Sequence, residues 1–112
     1  MSGISTHVLD VTLGRPAAGV AVWLEQEENG AWREIVRSKT DADGRVQALL
    51  PGSALCVGRY RVGFATGEYF RGQGSVCFHP YIEIAFEVAD ASQKYHLPLL
   101  ISPYSYFTYR GS

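Results

Sequence analysis

Three histidines, His7, His79 and His96, are the side chains of this sequence best suited to exchange protons near neutral pH. An unperturbed imidazole has a pKa of about 6.5, so it can act there as an acid or as a base. A structural role is the simpler interpretation for any single histidine, above all for His79, which precedes Pro80. Whether His7 and His96 do chemistry depends on the groups that the fold places beside them.

The spacing of these residues does not favour a metal site. The sequence has no HxH or HExxH pattern. The segment TDADGRV has the acidic residues of a calcium loop at Asp41 and Asp43, but its glycine comes too early and the ligand glutamate is missing. No segment resembles a dinucleotide or phosphate loop. We therefore expect no metal and no cofactor.

The TDADGRV segment is instead typical of a tight hairpin, in which Asp43-Gly44 supplies the turn with positive φ. Arg45 follows this turn directly. Taken alone, Arg45 is most simply a solvated strand residue. A guanidinium can, however, also orient a substrate and hold negative charge through forked hydrogen bonds, so its neighbours decide its role.

The C-terminal segment ISPYSYFTYRGS combines four aromatic side chains with an arginine, Arg110, close to the end of the sequence. Chain ends usually fray unless they are tied down. Tyrosines can pack, but an arginine beside a terminal carboxylate suits a polar site better than a hydrophobic core. We therefore expect this segment to be ordered and to contribute to a polar binding site.

Composition limits the kinds of partner. The sequence has 112 residues, of which 46% are hydrophobic, which suits a single domain over residues 1–112 but not two. The 10 Lys and Arg residues nearly balance 11 Asp and Glu, so no charge excess would attract nucleic acid or an anionic membrane. No stretch approaches the roughly 18 apolar residues of a membrane span. Any partner is expected to be recognised by a local site.

Signals for export are also missing. The first residues, MSGISTHVLDVTLGRP, contain neither a basic n-region nor an apolar h-region. Cys56 and Cys77 form no CxxC pair and lack the density of a disulfide-rich secreted domain. We expect two reduced, partly buried thiols and a cytoplasmic location.

Short apolar segments separated by turn signals would have to position the candidate side chains. The turn signals are Gly14-Arg15-Pro16, Asn29-Gly30, Asp43-Gly44, Pro51-Gly52 and Ser102-Pro103. Between them lie short segments rich in β-branched and aromatic residues, which is the pattern of an antiparallel sandwich or barrel. The stretch ATGEYFRGQ at 65–73 does not alternate, and we predict one or two helical turns there.

Strand alternation predicts where His7 and His96 lie. In 59–66 and 81–88 one face is apolar and the other charged, as expected for a sheet with one wet face. In 4–11 and 95–101 both faces are partly apolar, and His7 and His96 fall on the outer ones. A two-layer sandwich buries only one face of each sheet, so we expect another subunit to cover this outer surface.

Three segments and their order resemble one family. STHVLDVTLGRPA at the start, TDADGRV in the middle and YHLPLLISPYSYFTYRGS at the end are similar to the transthyretin-like 5-hydroxyisourate hydrolases of purine catabolism. The resemblance covers nearly the whole sequence and implies an all-β, two-sheet antiparallel sandwich of the transthyretin (prealbumin) type with one short helix. Its most specific element is the terminal YRGS, which in this family distinguishes the hydrolases from the thyroid-hormone carrier transthyretin.

The resemblance also implies a set of site residues. The family's two catalytic histidines match His7 and His96, and its arginine after the hairpin matches Arg45. The hormone carriers have Lys, Glu and Thr at the first, second and third of the matched positions, so the pattern here is that of the enzyme. The substrate-binding signature matches Tyr109, Arg110, Gly111 and Ser112.

The family hydrolyses 5-hydroxyisourate to 2-oxo-4-hydroxy-4-carboxy-5-ureidoimidazoline in urate catabolism, by adding water to a lactam carbonyl of the six-membered ring. On the resemblance, His7 and His96 activate water and transfer protons, while Arg45 orients the substrate and stabilises negative charge. Which histidine is the base stays open. Arg110 and Ser112 would close the pocket floor, and Tyr109 would narrow a ligand channel. The family assembles as a homotetramer with its sites at the dimer–dimer interface.

Two rival functions belong to other classes. A transthyretin-like carrier of small ligands, without catalysis, would need an open channel and no general base. A structural or adhesion sandwich would carry its histidines incidentally, so replacing His7 and His96 together by alanine would leave its function unchanged. The matched His7, Arg45 and Tyr109 favour the hydrolase over both.

Overall fold

Residues 3–112, which the computed structural model describes, form nine strands, one short helix and a 3₁₀ turn. The turn covers Gly52–Ala54 and the helix, α1, covers Thr66–Arg71, inside the stretch predicted to be helical. The strands are β1 (Gly3–Asp10), β2 (Arg15–Pro16), β3 (Ala21–Glu28), β4 (Ala31–Lys39), β5 (Arg45–Pro51), β6 (Gly58–Phe64), β7 (Ile82–Val88), β8 (Lys94–Ile101) and β9 (Tyr106–Thr108).

The strands form two sheets, which confirms the predicted two-sheet sandwich with one short helix. The first sheet has the order β2-β1-β8-β9, with β5 beside β1 on the same side as β2. The second has the order β4-β3-β6-β7 and is antiparallel throughout. One pair departs from the antiparallel prediction, because β1 and β8 run parallel. Parallel neighbours need a long crossover, and here most of the chain lies between them.

The core lies between the inner faces of the two sheets. The predicted alternation of β6 is confirmed, since Tyr60, Val62 and Phe64 are fully buried. The inner face of β8 is buried as well, including Leu99 and Ile101. Each large apolar side chain buried in this way contributes roughly 1.5–3 kcal/mol of transfer free energy. This core holds β1 and β8 side by side and leaves their other face turned away from the second sheet.

The turn before Arg45 differs from the predicted hairpin. Gly44 has a φ of 74°, as predicted for a tight turn. The turn, however, joins β4 of the second sheet to β5 of the first, so its flanking strands are not hydrogen-bonded partners. The Gly44 carbonyl instead accepts the Val8 N–H at 2.7 Å, and a Cβ at Gly44 would lie 2.3 Å from the Val8 carbonyl oxygen. Contact with β1 therefore decides where this turn packs.

The two cysteines are free thiols, and one differs from the prediction. Cys77 is half-buried, whereas Cys56 is exposed rather than partly buried. Cys56 lies in the loop between the 3₁₀ turn and β6, outside both inner sheet faces. Within residues 3–112, no helix has the length and apolar character needed to cross a membrane.

Candidate functional site

Three neighbouring strands bring His7, Arg45 and His96 to one face of the first sheet. His7 on β1 lies directly opposite Arg45 at the start of β5. On the other side of β1, the register pairs Ser5 with His96 of β8. Directly paired residues project from the same face of a sheet, and Ser5 and His7, two apart, share a face as well. The structure therefore brings together all three side chains that the sequence proposed as catalytic.

A cleft of about 580 Å³ opens at this face. Arg45 and Lys94 supply its positive charges, and no Asp or Glu side chain is among the described residues that line it. Among residues 3–112, neither cation takes part in a salt bridge. The cleft therefore offers two cations that form no ion pair among the described residues to an electron-rich ligand or a developing oxyanion. Its polar side chains are those of Ser5, Arg45, Gln47, Lys94, His96 and Ser112.

His7 is held by the turn that precedes Arg45. Its Nε2 lies 3.0 Å from the carbonyl oxygen of Asp43. A carbonyl oxygen can only accept a hydrogen bond, so Nε2 carries the proton and donates it. Asp41 shapes the same turn by accepting the backbone N–H groups of Asp43 and Arg45 at 2.9 and 3.0 Å. One turn thus orients the ring of His7 and starts the strand that carries Arg45.

The ring of His96 is anchored through its other nitrogen. Its Nδ1 lies 2.8 Å from the hydroxyl oxygen of Ser5. Burial is the largest effect lowering the pKa of His96 below its ordinary value, followed by the positive charges of Lys94, His7 and Arg45. His96 is therefore mainly neutral at neutral pH, and a neutral imidazole can accept a proton from water.

The C-terminal segment packs beside His96. The Gly111 N–H donates to the His96 carbonyl at 2.8 Å, continuing the antiparallel register of β8 and β9 beyond Thr108. A Cβ at Gly111 would lie 2.7 Å from Cδ2 of the His96 ring, closer than such atoms pack. Glycine is thus needed here to leave room for the imidazole. Ser112 follows and lines the cleft.

Tyr109 and Arg110 lie apart from this cleft. The Tyr109 ring is exposed and packs 5.8 Å from the ring of Phe107. The sequence expectation put Arg110 at the pocket floor, whereas its guanidinium lies 4.4 Å from the centre of the Tyr95 ring and donates to Gln93 and to the Lys94 carbonyl. Arg110 opposes an inward-facing residue of β8, so strand parity turns it away from His96. It anchors the tail at the edge of the sandwich.

Three cleft residues, Ser5, Gln47 and Lys94, were not predicted from the sequence. Ser5 and Lys94 each lie two positions before a candidate histidine, so strand alternation could have placed them on the same face. Within residues 3–112, no cluster of three or more His, Cys, Asp or Glu side chains is arranged to hold a metal ion. The chemistry open to these side chains is proton transfer by imidazole beside fixed cations.

Comparison with known proteins shows the family of this chain. The HIUase/Transthyretin family matches residues 4–111. The chain belongs to this family. The 5-hydroxyisourate hydrolase of Salmonella typhimurium is 45% identical over 109 residues, covering 97% of this chain and 80% of that protein.

Solved structures of both kinds of family member share the fold. The 5-hydroxyisourate hydrolase of Klebsiella pneumoniae matches with a TM-score of 0.88 at 36% identity, covering 100% of each chain. Sea bream transthyretin in complex with thyroxine matches with a TM-score of 0.92 at 35% identity, covering 96% of this chain and 93% of that one. The predicted transthyretin-type sandwich is thus confirmed, but the fold alone does not separate hydrolase from carrier.

Proposed function

We propose that this protein is a 5-hydroxyisourate hydrolase, which opens the ring of 5-hydroxyisourate to give 2-oxo-4-hydroxy-4-carboxy-5-ureidoimidazoline in urate catabolism. The observation that carries the proposal is the convergence of His7, Arg45 and His96 on one sheet face. The 45% identity to a protein of that activity supports it. A carrier needs no base beside cations, whereas hydrolysis of a lactam needs both a base and a cation to stabilise the oxyanion.

In this proposal each side chain has a role in adding water to the lactam carbonyl. The two imidazoles activate water and transfer the proton that the leaving ring nitrogen needs. Arg45 orients the carbonyl edge and stabilises the oxyanion with forked hydrogen bonds. Gly111 and Ser112 form the wall beside His96, and Tyr109 narrows the approach from the outer side. Arg110 holds the tail in place through Tyr95.

The proposed assembly is a homotetramer of cytoplasmic protein, with the sites at the dimer–dimer interface. Its support is the surface around the cleft. Large apolar side chains such as Phe107 and Tyr109 are exposed on the same face of the first sheet as His96. Apolar surface of this kind usually marks a protein contact. A second copy facing the cleft would also exclude water, which strengthens the interaction of the cations with developing charge.

The proposal is tested by generating 5-hydroxyisourate with urate oxidase and following its decay by absorbance. The purified protein should accelerate the decay in proportion to its concentration. Arg45→Ala and deletion of residues 109–112 should each reduce kcat/KM at least ~10-fold, about 1.4 kcal/mol of transition-state stabilisation. Arg33→Ala is the matched control, because Arg33 forms an exposed ion pair with Glu28 on the other sheet.

One outcome would contradict the proposed activity, and two others would contradict the roles given to the side chains. Decay at the uncatalysed rate, together with saturable thyroxine binding, would identify a carrier. Full activity of the double variant His7→Ala/His96→Ala would remove the imidazoles from the reaction. Loss of activity in Arg33→Ala to the same degree as in Arg45→Ala would show that the arginine effect is not specific to the cleft.

A further inference from the structure

Ser5 is a cleft residue whose side chain contacts a proposed catalytic group directly. It lies on β1 opposite His96 of the parallel strand β8, and only 8% of the residue is exposed. Its hydroxyl oxygen lies 2.8 Å from Nδ1 of His96. The two residues are 91 positions apart in sequence, so the contact depends on the strand register and not on local structure.

The surroundings of this contact indicate which ring nitrogen carries the proton. A serine hydroxyl can donate or accept, so its distance alone does not decide. Burial and the charges of Lys94, His7 and Arg45 lower the pKa of His96, whereas the Ser5 backbone raises it. An effect in this direction is that of a carbonyl oxygen near a ring N–H. With the proton on Nδ1, the Ser5 hydroxyl at 2.8 Å accepts from it and the lone pair is on Nε2.

We propose that Ser5 is a positioning residue, whose hydroxyl accepts the Nδ1–H of His96 and so presents the Nε2 lone pair to the cleft as the base. This inference rests on the proposed hydrolase function. The water oxygen bonds to the lactam carbonyl carbon while its proton passes to Nε2. The carbon–nitrogen bond of the ring then breaks, the leaving nitrogen receives that proton, and a carboxylic acid forms.

The ring of His7 is held through the opposite nitrogen. Its Nε2 already donates to the Asp43 carbonyl, and this bond persists when the ring is doubly protonated. The Asp43 contact therefore keeps the ring of His7 in place while a proton passes to and from His96. The two rings are held by opposite nitrogens, and only Nδ1 of His96 meets a side-chain hydroxyl.

Substituting Ser5 leaves the charges around His96 in place. The charges that act on its ring are those of Lys94 on β8, His7 on β1 and Arg45 on β5, and their contributions are common to the wild type and the variant. A change in the pH dependence of the variant therefore reports on the Ser5 contact itself. Glu87 on β7 and Tyr109 and Arg110 in the tail line a second pocket that His96 also borders, and the substitution leaves them in place as well.

The kinetic test compares Ser5→Ala with Thr6→Val. Thr6 also bridges β1 and β8 through its hydroxyl, which donates to the Leu97 carbonyl at 2.6 Å, but it faces the core. Ser5→Ala should lower kcat about three- to tenfold with KM nearly unchanged, the effect expected for one lost hydrogen bond. The acidic limb of its kcat profile should move to lower pH, because the lost bond favours the protonated ring. Ser5→Thr should restore both.

Thr6→Val should lower the thermal unfolding midpoint without moving that limb. The proposal is overturned if Ser5→Ala keeps the wild-type profile, or if Thr6→Val shifts it equally. It is also overturned if a smaller folded fraction of Ser5→Ala, measured by thermal unfolding, accounts for all of the activity that the variant loses.

A second measurement needs no substrate. The ¹⁵N chemical shifts of the His96 ring in the wild-type protein should show a protonated Nδ1 and an unprotonated Nε2 above its pKa, and Ser5→Ala should show a mixture. The opposite tautomer in the wild type would overturn the Ser5 proposal. If the wild-type ring has the expected tautomer but the wild-type protein does not accelerate the decay of 5-hydroxyisourate, the proposed function is wrong and the positioning of His96 by Ser5 is still supported.

Discussion

At the scale of single residues, Lys94 is one of the charges that keep the pKa of His96 low. If neutral His96 is the active form, a lowered pKa lets activity persist to more acidic pH. Lys94→Gln removes a positive charge, so the pKa of His96 should rise toward its ordinary value. The acidic limb of kcat/KM should then move to higher pH.

The control for this prediction is Lys39→Gln. Lys39 ends β4 on the other sheet and should leave the limb where it is. The measurement is kcat/KM against pH for both variants and the wild type. If the acidic limb of kcat/KM does not move in Lys94→Gln, or moves to lower pH, the charge on Lys94 does not act on the catalytic imidazole.

The same residues show what sequence could predict about the site. Strand alternation placed His7 and His96 on outer faces, because parity depends only on local backbone geometry. The partnership between Ser5 and His96 could not be predicted in this way. It depends on the parallel register of β1 and β8, which is set by packing between segments 91 residues apart.

At the scale of the element, the turn over 41–44 controls the position of Arg45. Gly44 and Gly30 both have positive φ, at 74° and 80°. Alanine at Gly30 meets no atom within 4 Å and should cost roughly 1 kcal/mol, the strain of the left-handed backbone. Alanine at Gly44 would also collide with the Val8 carbonyl. We expect Gly44→Ala to lower the free energy of unfolding in urea at least twice as much as Gly30→Ala does, and to reduce kcat.

Equal losses of unfolding free energy in the two variants would mean that the Val8 contact does not restrict the residue at position 44.

The error in the hairpin prediction also comes from this contact with Val8. Turn residues specify a local reversal, and that part was correct. They do not specify which sheet receives the next strand, and here the hydrogen bond from Val8 to Gly44 draws it to β1.

At the scale of the whole molecule, the face that carries the cleft also carries large exposed apolar side chains. Phe107 lies opposite Leu100 in the pairing of β9 with β8, on the same face as His96. The two-faced apolar pattern of β1 and β8 predicted such a surface from sequence alone. The sequence could not predict that Arg110 would lie over the ring of Tyr95. This contact depends on how the tail packs against the edge of the sandwich.

The proposed homotetramer is tested by placing a charge on this face. Phe107 and Val57 are similarly exposed, at 62% and 66%, but Val57 lies in the loop before β6. Burying a carboxylate in an apolar interface is costly, so Phe107→Glu should dissociate the assembly, whereas Val57→Glu should keep about four times the protomer mass of 12.3 kDa. Sedimentation velocity measures the mass, and hydrolysis per protomer should fall roughly tenfold or more with dissociation. A monomeric Phe107→Glu protein with full turnover would show that one protomer suffices for catalysis.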